Sequence, residues 1–321
     1  MRPIVILEFL EQIPEPRVER TRRHRLTDIL VITLCAVIRG QRGWDGIAEF
    51  GEAREAELRE FLELPHGIPC ADTFRRVMSA LDAKAVSACL TAWARQLHAG
   101  TDGGQIAIDG KTVRGSFSSA ENGEGRLHVV NAWATETKLV LGQFATDVKS
   151  NEITAIPELL KLLDLRKGVV SIDAMGCQKN IAKTICEKGA YYLFGLKGNQ
   201  PTLHEEVCGA FDEQTCNKLR ENPHDFHESA DKGHGRMEVR RTWVIRDVAW
   251  LTASEAWPGL KSLVLVESER HLKDRSSRER RAYISSHEGS AERLGTMVRQ
   301  HWGIENQLHW TLDVSVLQKA A

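Results

Sequence analysis

Apolar residues in the first hundred positions recur at intervals of three or four, which is the spacing of one face of an α-helix. The repeat is clearest over residues 29–38, 58–62 and 86–97, and glycine and proline residues separate these stretches. The pattern therefore predicts a helical N-terminal domain over residues 1–100.

The pattern changes after a glycine-rich joint at residues 100–104. Short apolar runs then alternate with helical repeats, an order that predicts an α/β fold with a mixed sheet and flanking helices. Residues 218–287 are rich in alternating β-forming residues, so we predict a β-rich insertion there and a closing helix over residues 291–313. These elements form a second predicted domain over residues 101–321. Predicted strands cover residues 105–108, 127–134, 139–145, 169–172 and 191–196, and predicted helices cover 153–163, 179–188 and a stretch from Pro201.

The charge balance is close to neutral, with 43 Lys and Arg against 44 Asp and Glu. No overall field therefore draws the protein to nucleic acid, and DNA binding would depend on local basic clusters. One cluster is residues 17–25, with five arginines against one glutamate, and the other is residues 270–281, with six basic residues against two acidic ones. Each cluster is also compatible with an ordinary solvated face.

Cysteine spacing and hydropathy exclude two further classes of protein. The seven cysteines form no CxxC pair and no cluster with histidine at zinc-finger spacing. The longest apolar run, residues 29–38, is about half the length that crosses a bilayer. We expect a reduced, cytoplasmic protein with no membrane segment.

Two aspartates occupy equivalent places after buried strands. Asp109 follows the apolar run 106–108, and Asp173 follows residues 169–172. If the strands are neighbours, both carboxylates meet at the rim of the sheet, where α/β sites form, and they suit a hard cation such as Mg²⁺. The alternative is that each aspartate caps the turn that follows it.

A third carboxylate lies in the predicted closing helix. Trp302, Glu305 and His309 share one face at helical spacing. A carboxylate beside an aromatic ring and a histidine suits a site that meets both metal and nucleic acid, although Trp302 could equally anchor the helix to the core.

Four motifs together resemble one known family. They are IAIDGKTVRGS at residues 106–116, SIDAMGCQ at 171–178, LKGNQ at 196–200 and HWGIEN at 301–306. The sequence resembles the H-repeat-associated bacterial insertion-sequence transposases, which have a DDE triad on an RNase H-like fold. The chain leaves the family pattern after residue 314, so the resemblance also predicts a shortened C-terminus.

The resemblance implies a catalytic and metal-binding triad of Asp109, Asp173 and Glu305. It implies two Mg²⁺ or Mn²⁺ ions about 3.5–4 Å apart, which serve cleavage and joining of DNA phosphodiesters. The expected function is transposition of an insertion sequence, with cleavage and strand transfer at the element ends. The expected partners are double-stranded DNA of the element ends and the target, bound by a homodimer, and the expected location is the nucleoid.

Basic and aromatic residues near the triad and in the two basic clusters are candidates for DNA contact. For each basic residue the alternative is a plain surface charge. The candidates are Arg17, Arg20, Arg22, Arg23, Arg25, Lys111, Arg114, Lys197, Arg275, Arg278, Arg280, Arg281, His301 and Trp302.

Two other functions remain open at this stage. The chain could be a catalytically inactive, truncated DNA-binding remnant, or an RNase H-like nuclease that cuts without strand transfer. Cleavage that depends on Asp109 separates the first from a transposase, and joining of DNA ends separates the second.

Overall fold

The computed structural model describes residues 6–98, 103–113, 128–146, 152–211, 224–233, 236–271 and 276–311. Contacts divide the chain into two compact units, Met1–Ala99 and Gly100–Ala321. None of the helices in the described ranges is both long enough and apolar enough to cross a membrane.

The N-terminal unit is helical. Ile29 and Ile32 of its second helix are fully buried in the unit's own core. Asp28 is also buried, and its Oδ2 accepts the backbone N–H of Leu64 at 3.3 Å, which ties the loop after the fourth helix to the core. The helices are α1 Leu7–Leu10, α2 Leu26–Ile38, α3 Gly43–Ala53, α4 Glu55–Leu58, α5 Ala71–Ala80 and α6 Ala83–His98, with a 3₁₀ turn at Glu19–Thr21.

The second unit is built on one mixed sheet, which has nine strands in the described residues. The strands are β1 Gln105–Thr112, β2 His128–Ala134, β3 Val140–Thr146, β4 Val169–Ile172, β5 Tyr191–Leu196, β6 His224–Gly233, β7 Arg236–Ile245, β8 Ser262–His271 and β9 Ser276–Ser285. The strand order is β3-β2-β1-β4-β5-β9-β8-β7-β6. β1, β4 and β5 are parallel, and the other pairs are antiparallel.

The predicted fold class is confirmed. The first five strands follow the order 3-2-1-4-5, the RNase H-like arrangement that the resemblance implies. β4 lies in the middle of these five strands, and its four residues, Val-Val-Ser-Ile, are all buried. An uninterrupted buried run of this kind suits a parallel strand that is covered on both faces. The β-rich insertion continues the same sheet, because β9 pairs with β5 from Leu193↔Ser285 to Leu196↔Ala282.

Helices cover both faces of the central strands, and a strand's side chains point to its two faces alternately. Ile108 and Ile172 belong to the core that includes Ile156 of α7 (Glu152–Lys161) and Ile181 of α8 (Lys179–Glu187). The other face of the sheet packs on α10 (Ala291–His301), and Val169 of β4 belongs to the core between them. The helices of this unit are α7 Glu152–Lys161, α8 Lys179–Glu187, α9 Pro201–Ala210 and α10 Ala291–His301, with a 3₁₀ turn at Ser254–Ala256.

The closing element differs from the single helix predicted over residues 291–313. α10 begins at a serine cap, with Oγ of Ser290 accepting the N–H of Arg293 at 3.2 Å, and it ends at His301. The chain then forms a π-helical turn at Ile304–His309. Such a turn adds a residue per turn, which changes the face that later side chains share. Residues after 311 lie outside the described ranges.

Substituting Gly295 with alanine tests the contact between α10 and β7. A Cβ atom at Gly295 would lie 2.5 Å from Oγ1 of Thr242. The helix must therefore move off the sheet, and we expect the free energy of unfolding to fall by about 1–3 kcal/mol.

The matched control is Gly209→Ala in α9, where an added Cβ meets no described atom within 4 Å. Alanine is there favoured over glycine by about 0.5–1 kcal/mol through helix propensity. Urea unfolding measures both variants. Equal midpoints for the two would contradict the close approach of α10 to the sheet.

Candidate active site

The two predicted aspartates lie side by side on neighbouring strands. β1 and β4 are parallel with Ile108 opposite Ile172, so Asp109 and Asp173 each follow at the same level. Adjacent strands lie about 4.8 Å apart. Asp109 does not end its strand, because β2 remains paired with β1 as far as Thr112, whereas β4 stops at Ile172.

Glu305 joins this pair from the π-helical turn. Burial, followed by the charges of Asp173 and then Glu305, raises the pKa of Asp109 to about 7. Desolvation also raises the pKa of Glu305, while the Arg281 guanidinium opposes that shift. The three carboxylates therefore act on one another electrostatically, although the sequence separates them by 196 residues (305 − 109).

This donor set fits a divalent cation. Neighbouring carboxylates raise one another's pKa. A hard cation that prefers oxygen ligands stabilises their negative charges when it lies between them. In the described ranges, no three His, Cys, Asp or Glu side chains are already grouped closely enough to hold a metal. The carboxylates face one region and would need to draw together to coordinate an ion.

Local hydrogen bonds fix each aspartate. Oδ1 of Asp109 accepts the N–H of Gly110 at 2.9 Å, and Oδ2 lies 3.5 Å from Nδ1 of His309. Oδ1 of Asp173 accepts the N–H groups of Met175 and Gly176 at 3.0 and 3.3 Å. Asp173 therefore caps the turn that follows it, as the alternative interpretation expects. Only its Oδ1 takes part in those two hydrogen bonds, and its Oδ2 does not.

A cleft of about 470 Å³ opens beside the carboxylates. Its lining includes Asp173 and Glu305, and five of the predicted DNA-contacting residues: Lys197, Arg280, Arg281, His301 and Trp302. The guanidinium carbon of Arg281 lies 4.0 Å from the centre of the Trp302 ring, a cation–π contact that orders both side chains. Lys111 acts electrostatically on Glu305 from β1.

Several predicted DNA contacts are already paired with acidic residues or lie away from the cleft, and Arg280 both lines the cleft and is paired. Arg278 and Arg280 each approach Oε2 of the fully buried Glu267 at 2.7 Å, so their charges are already paired within the sheet. Arg17 pairs with Glu15 at 2.8 Å, and Arg25 pairs with Glu63. The structure places Arg20, Arg22 and Arg23 in the N-terminal unit, and Arg114 and Arg275 lie outside the described residues.

Sequence reasoning missed a buried pair behind Asp109. Nε2 of His128 lies 2.7 Å from Oε1 of Glu152, and Nδ1 of His128 lies 2.9 Å from Oγ1 of Thr112. The charge of Glu152 also contributes to the raised pKa of Asp109. No motif signals this pair, because a histidine in a strand and a glutamate at a helix start are common; only the fold brings them together.

Gly110, in the same strand as Asp109, lies close to this pair. A Cβ atom at Gly110 would run into the Glu152 carboxylate and would lie 2.8 Å from Nε2 of His128. We expect Gly110→Ala to lower the free energy of unfolding by about 1–3 kcal/mol, because the buried pair must separate.

The matched control is Gly198→Ala, where an added Cβ meets no described atom within 4 Å. Thermal unfolding of both variants is the measurement. A Gly110→Ala protein as stable as Gly198→Ala would show that the pair does not pack against the strand.

Two known protein families match this chain. The family described as Transposase DDE domain matches residues 100–318, and the one described as DDE_Tnp_1-associated matches residues 7–94. Among solved structures, a piggyBac transposase synaptic complex with hairpin DNA aligns with a TM-score of 0.41 and 12% identity, over 97% of this chain and 63% of that chain.

Two relatives cover most of the chain. It is 48% identical over 282 residues to "Uncharacterized protein in dhlA 3'region" of Xanthobacter autotrophicus, spanning 87% of this chain and 93% of the relative. It is 41% identical over 316 residues to "H repeat-associated putative transposase YhhI" of Escherichia coli strain K12, spanning 96% and 82%. The resemblance to the H-repeat-associated transposases is therefore confirmed, and the chain belongs to the Transposase DDE domain family.

Proposed function

We propose that this protein is a DNA transposase that cleaves and joins phosphodiesters at the ends of an insertion sequence. The observation that supports it most is that the charges of Asp173 and Glu305 act on Asp109, next to a cleft that Asp173, Glu305 and cationic side chains line. Membership of the Transposase DDE domain family supports the same reaction class.

Asp109, Asp173 and Glu305 would hold two Mg²⁺ or Mn²⁺ ions. The chemistry that such ions supply is activation of water or a DNA 3′-hydroxyl and stabilisation of the leaving oxygen. The chain's own contribution is to fix the carboxylates: the register of β1 with β4 sets the two aspartates, and the π-helical turn carries Glu305 to them.

The cleft residues would bind the DNA backbone. Lys197 offers positive charge where phosphates must approach the carboxylates, and this charge lowers the repulsion between DNA and the site. Arg281 adds to it, although it also pairs with Glu279 at 2.7 Å. Arg281 is held over Trp302, so its charge is positioned before DNA binds. Lys111 of β1 and Arg114 would add further positive charge for this contact.

The N-terminal unit would add DNA contacts away from the chemistry. Its basic residues are Arg17, Arg20, Arg22, Arg23 and Arg25, and the pairing of Arg17 and Arg25 with acids leaves Arg20, Arg22 and Arg23 as the better candidates. Double-stranded DNA of the element ends and the target would be the partner. Phosphate contacts of this kind weaken steeply as the salt concentration rises.

An Asp109→Asn variant tests the catalytic assignment. The assay uses a labelled DNA fragment with the element's own ends and Mg²⁺ or Mn²⁺, and it follows cleavage and strand transfer. Loss of a carboxylate that holds metal removes several kcal/mol of transition-state stabilisation, so we expect a rate at least about 10³-fold lower.

The matched control is Asp164→Asn, which removes an exposed aspartate that pairs with Arg166. Its rate should equal that of the wild type. Cleavage without joining would identify a nuclease, and DNA binding without products would identify an inactive remnant. Products that Asp109→Asn leaves unchanged would contradict the assignment of the site.

Metal binding can be measured without DNA. An ion that binds only the folded protein raises the free energy of unfolding, by about 2.7 kcal/mol at 100 times the dissociation constant. We expect Mn²⁺ to raise the melting temperature of the wild type, EDTA to reverse the rise, and Asp173→Asn to abolish it. An equal rise in Asp173→Asn and in the wild type would place the ion elsewhere.

A further inference from the structure

A buried chain of hydrogen bonds links β1, β4 and α10 and ends at the cleft. Nε2 of Gln105 donates to Oγ of Ser171 at 2.7 Å and to the backbone oxygen of Met297 at 2.9 Å. Oγ of Ser171 lies 3.0 Å from Nδ1 of His301. Gln105 and Ser171 are both buried, so this chain is shielded from competing water.

The Met297 carbonyl fixes the orientation of the Gln105 amide and so the direction of its bond to Ser171. A carbonyl oxygen can only accept, so the NH₂ group of Gln105 faces it and uses its second hydrogen on Ser171. The Ser171 hydroxyl accepts that bond and keeps its own hydrogen, which it can donate to Nδ1 of His301. A neutral imidazole that accepts this hydrogen bond at Nδ1 carries its own hydrogen on Nε2.

The other edge of the ring belongs to the cleft. His301 lines the cleft together with Asp173, Lys197 and Glu305. Nδ1 is turned toward the sheet by Ser171, so the Nε2–H group is the one that can meet a ligand in the cleft. Burial lowers the pKa of His301 to about 4 against the opposing charge of Asp173, which agrees with a neutral ring.

We propose that His301 donates its Nε2–H to a non-bridging oxygen of the DNA phosphate in the cleft, and that Gln105 and Ser171 are positioning residues that hold the ring in this tautomer. This inference rests on the proposed function. The carboxylates can only accept hydrogen bonds. A neutral N–H group can donate a hydrogen bond to the phosphate beside them without forming an ion pair with Asp173.

Two substitutions of His301 separate this role from a structural one. The amide nitrogen of glutamine reaches the position of Nε2, whereas that of asparagine reaches the position of Nδ1. Losing one hydrogen bond to a charged oxygen in the transition state lowers the rate by about 10- to 100-fold. We therefore expect His301→Asn to cleave about 10- to 100-fold more slowly than the wild type and His301→Gln to retain most of the rate.

A purely structural bond to Ser171 predicts the reverse order, with asparagine the better replacement. Equal rates for the two variants, or a faster His301→Asn, would overturn the proposal. If the wild type itself does not cleave, the proposed function has failed, and the tautomer of His301 then decides separately whether the hydrogen-bond chain acts as inferred.

The tautomer is measured by ¹⁵N NMR of histidine-labelled protein without DNA, with the signal of His301 identified by its loss in His301→Gln. We expect a protonated Nε2 and an unprotonated Nδ1 in the wild type, and loss of this fixed tautomer in Ser171→Ala. A protonated Nδ1 in the wild type would overturn the inference.

The matched control is Ser262→Ala, which removes another buried serine hydroxyl, one that donates to the backbone oxygen of His287 at 3.0 Å. It should leave both the tautomer and the cleavage rate unchanged, while Ser171→Ala slows cleavage by about 10-fold or more. If Ser171→Ala and Ser262→Ala behave alike in both measurements, Ser171 does not position the ring.

Discussion

The parallel pairing of β1 with β4 is the constraint on which the site depends. With Ile108 opposite Ile172, the next residue of each strand is an aspartate, and the two carboxylates are held about one strand spacing apart. A shift of one residue in either strand would turn its buried side chains to the opposite face. The apolar cores on the two sides of the sheet therefore fix the register, and the register fixes the carboxylates.

The third carboxylate depends on how α10 is attached to the sheet. Gly295 lets the helix approach Thr242 closely, and the Met297 carbonyl is anchored by Gln105 of β1. The π-helical turn after α10 then carries Glu305 and His309 over β1. Gln105 thus serves two purposes, because the residue that anchors the helix also directs the bonds that orient His301.

Much of this arrangement could be predicted from the sequence. Strands and helices between residues 105 and 210 have strong patterns, and the positions of Asp109 and Asp173 after apolar runs follow from them. The π-helical turn could not be predicted, because its side chains read as an ordinary helical repeat. The pairing of Arg278 and Arg280 with Glu267 could not be predicted either. The sequence shows a run of charges, but it does not show the strand register that brings the two arginines to the glutamate.

The proposed function requires Asp109, Asp173 and Glu305 to bind the same divalent ions. Anomalous X-ray scattering from crystals grown with Mn²⁺ tests this requirement, because the signal locates the ion independently of activity. We expect manganese within coordination distance of all three carboxylates, about 2.0–2.3 Å from their oxygens. Manganese bound at other residues, with Asp109 and Glu305 remaining apart, would contradict it.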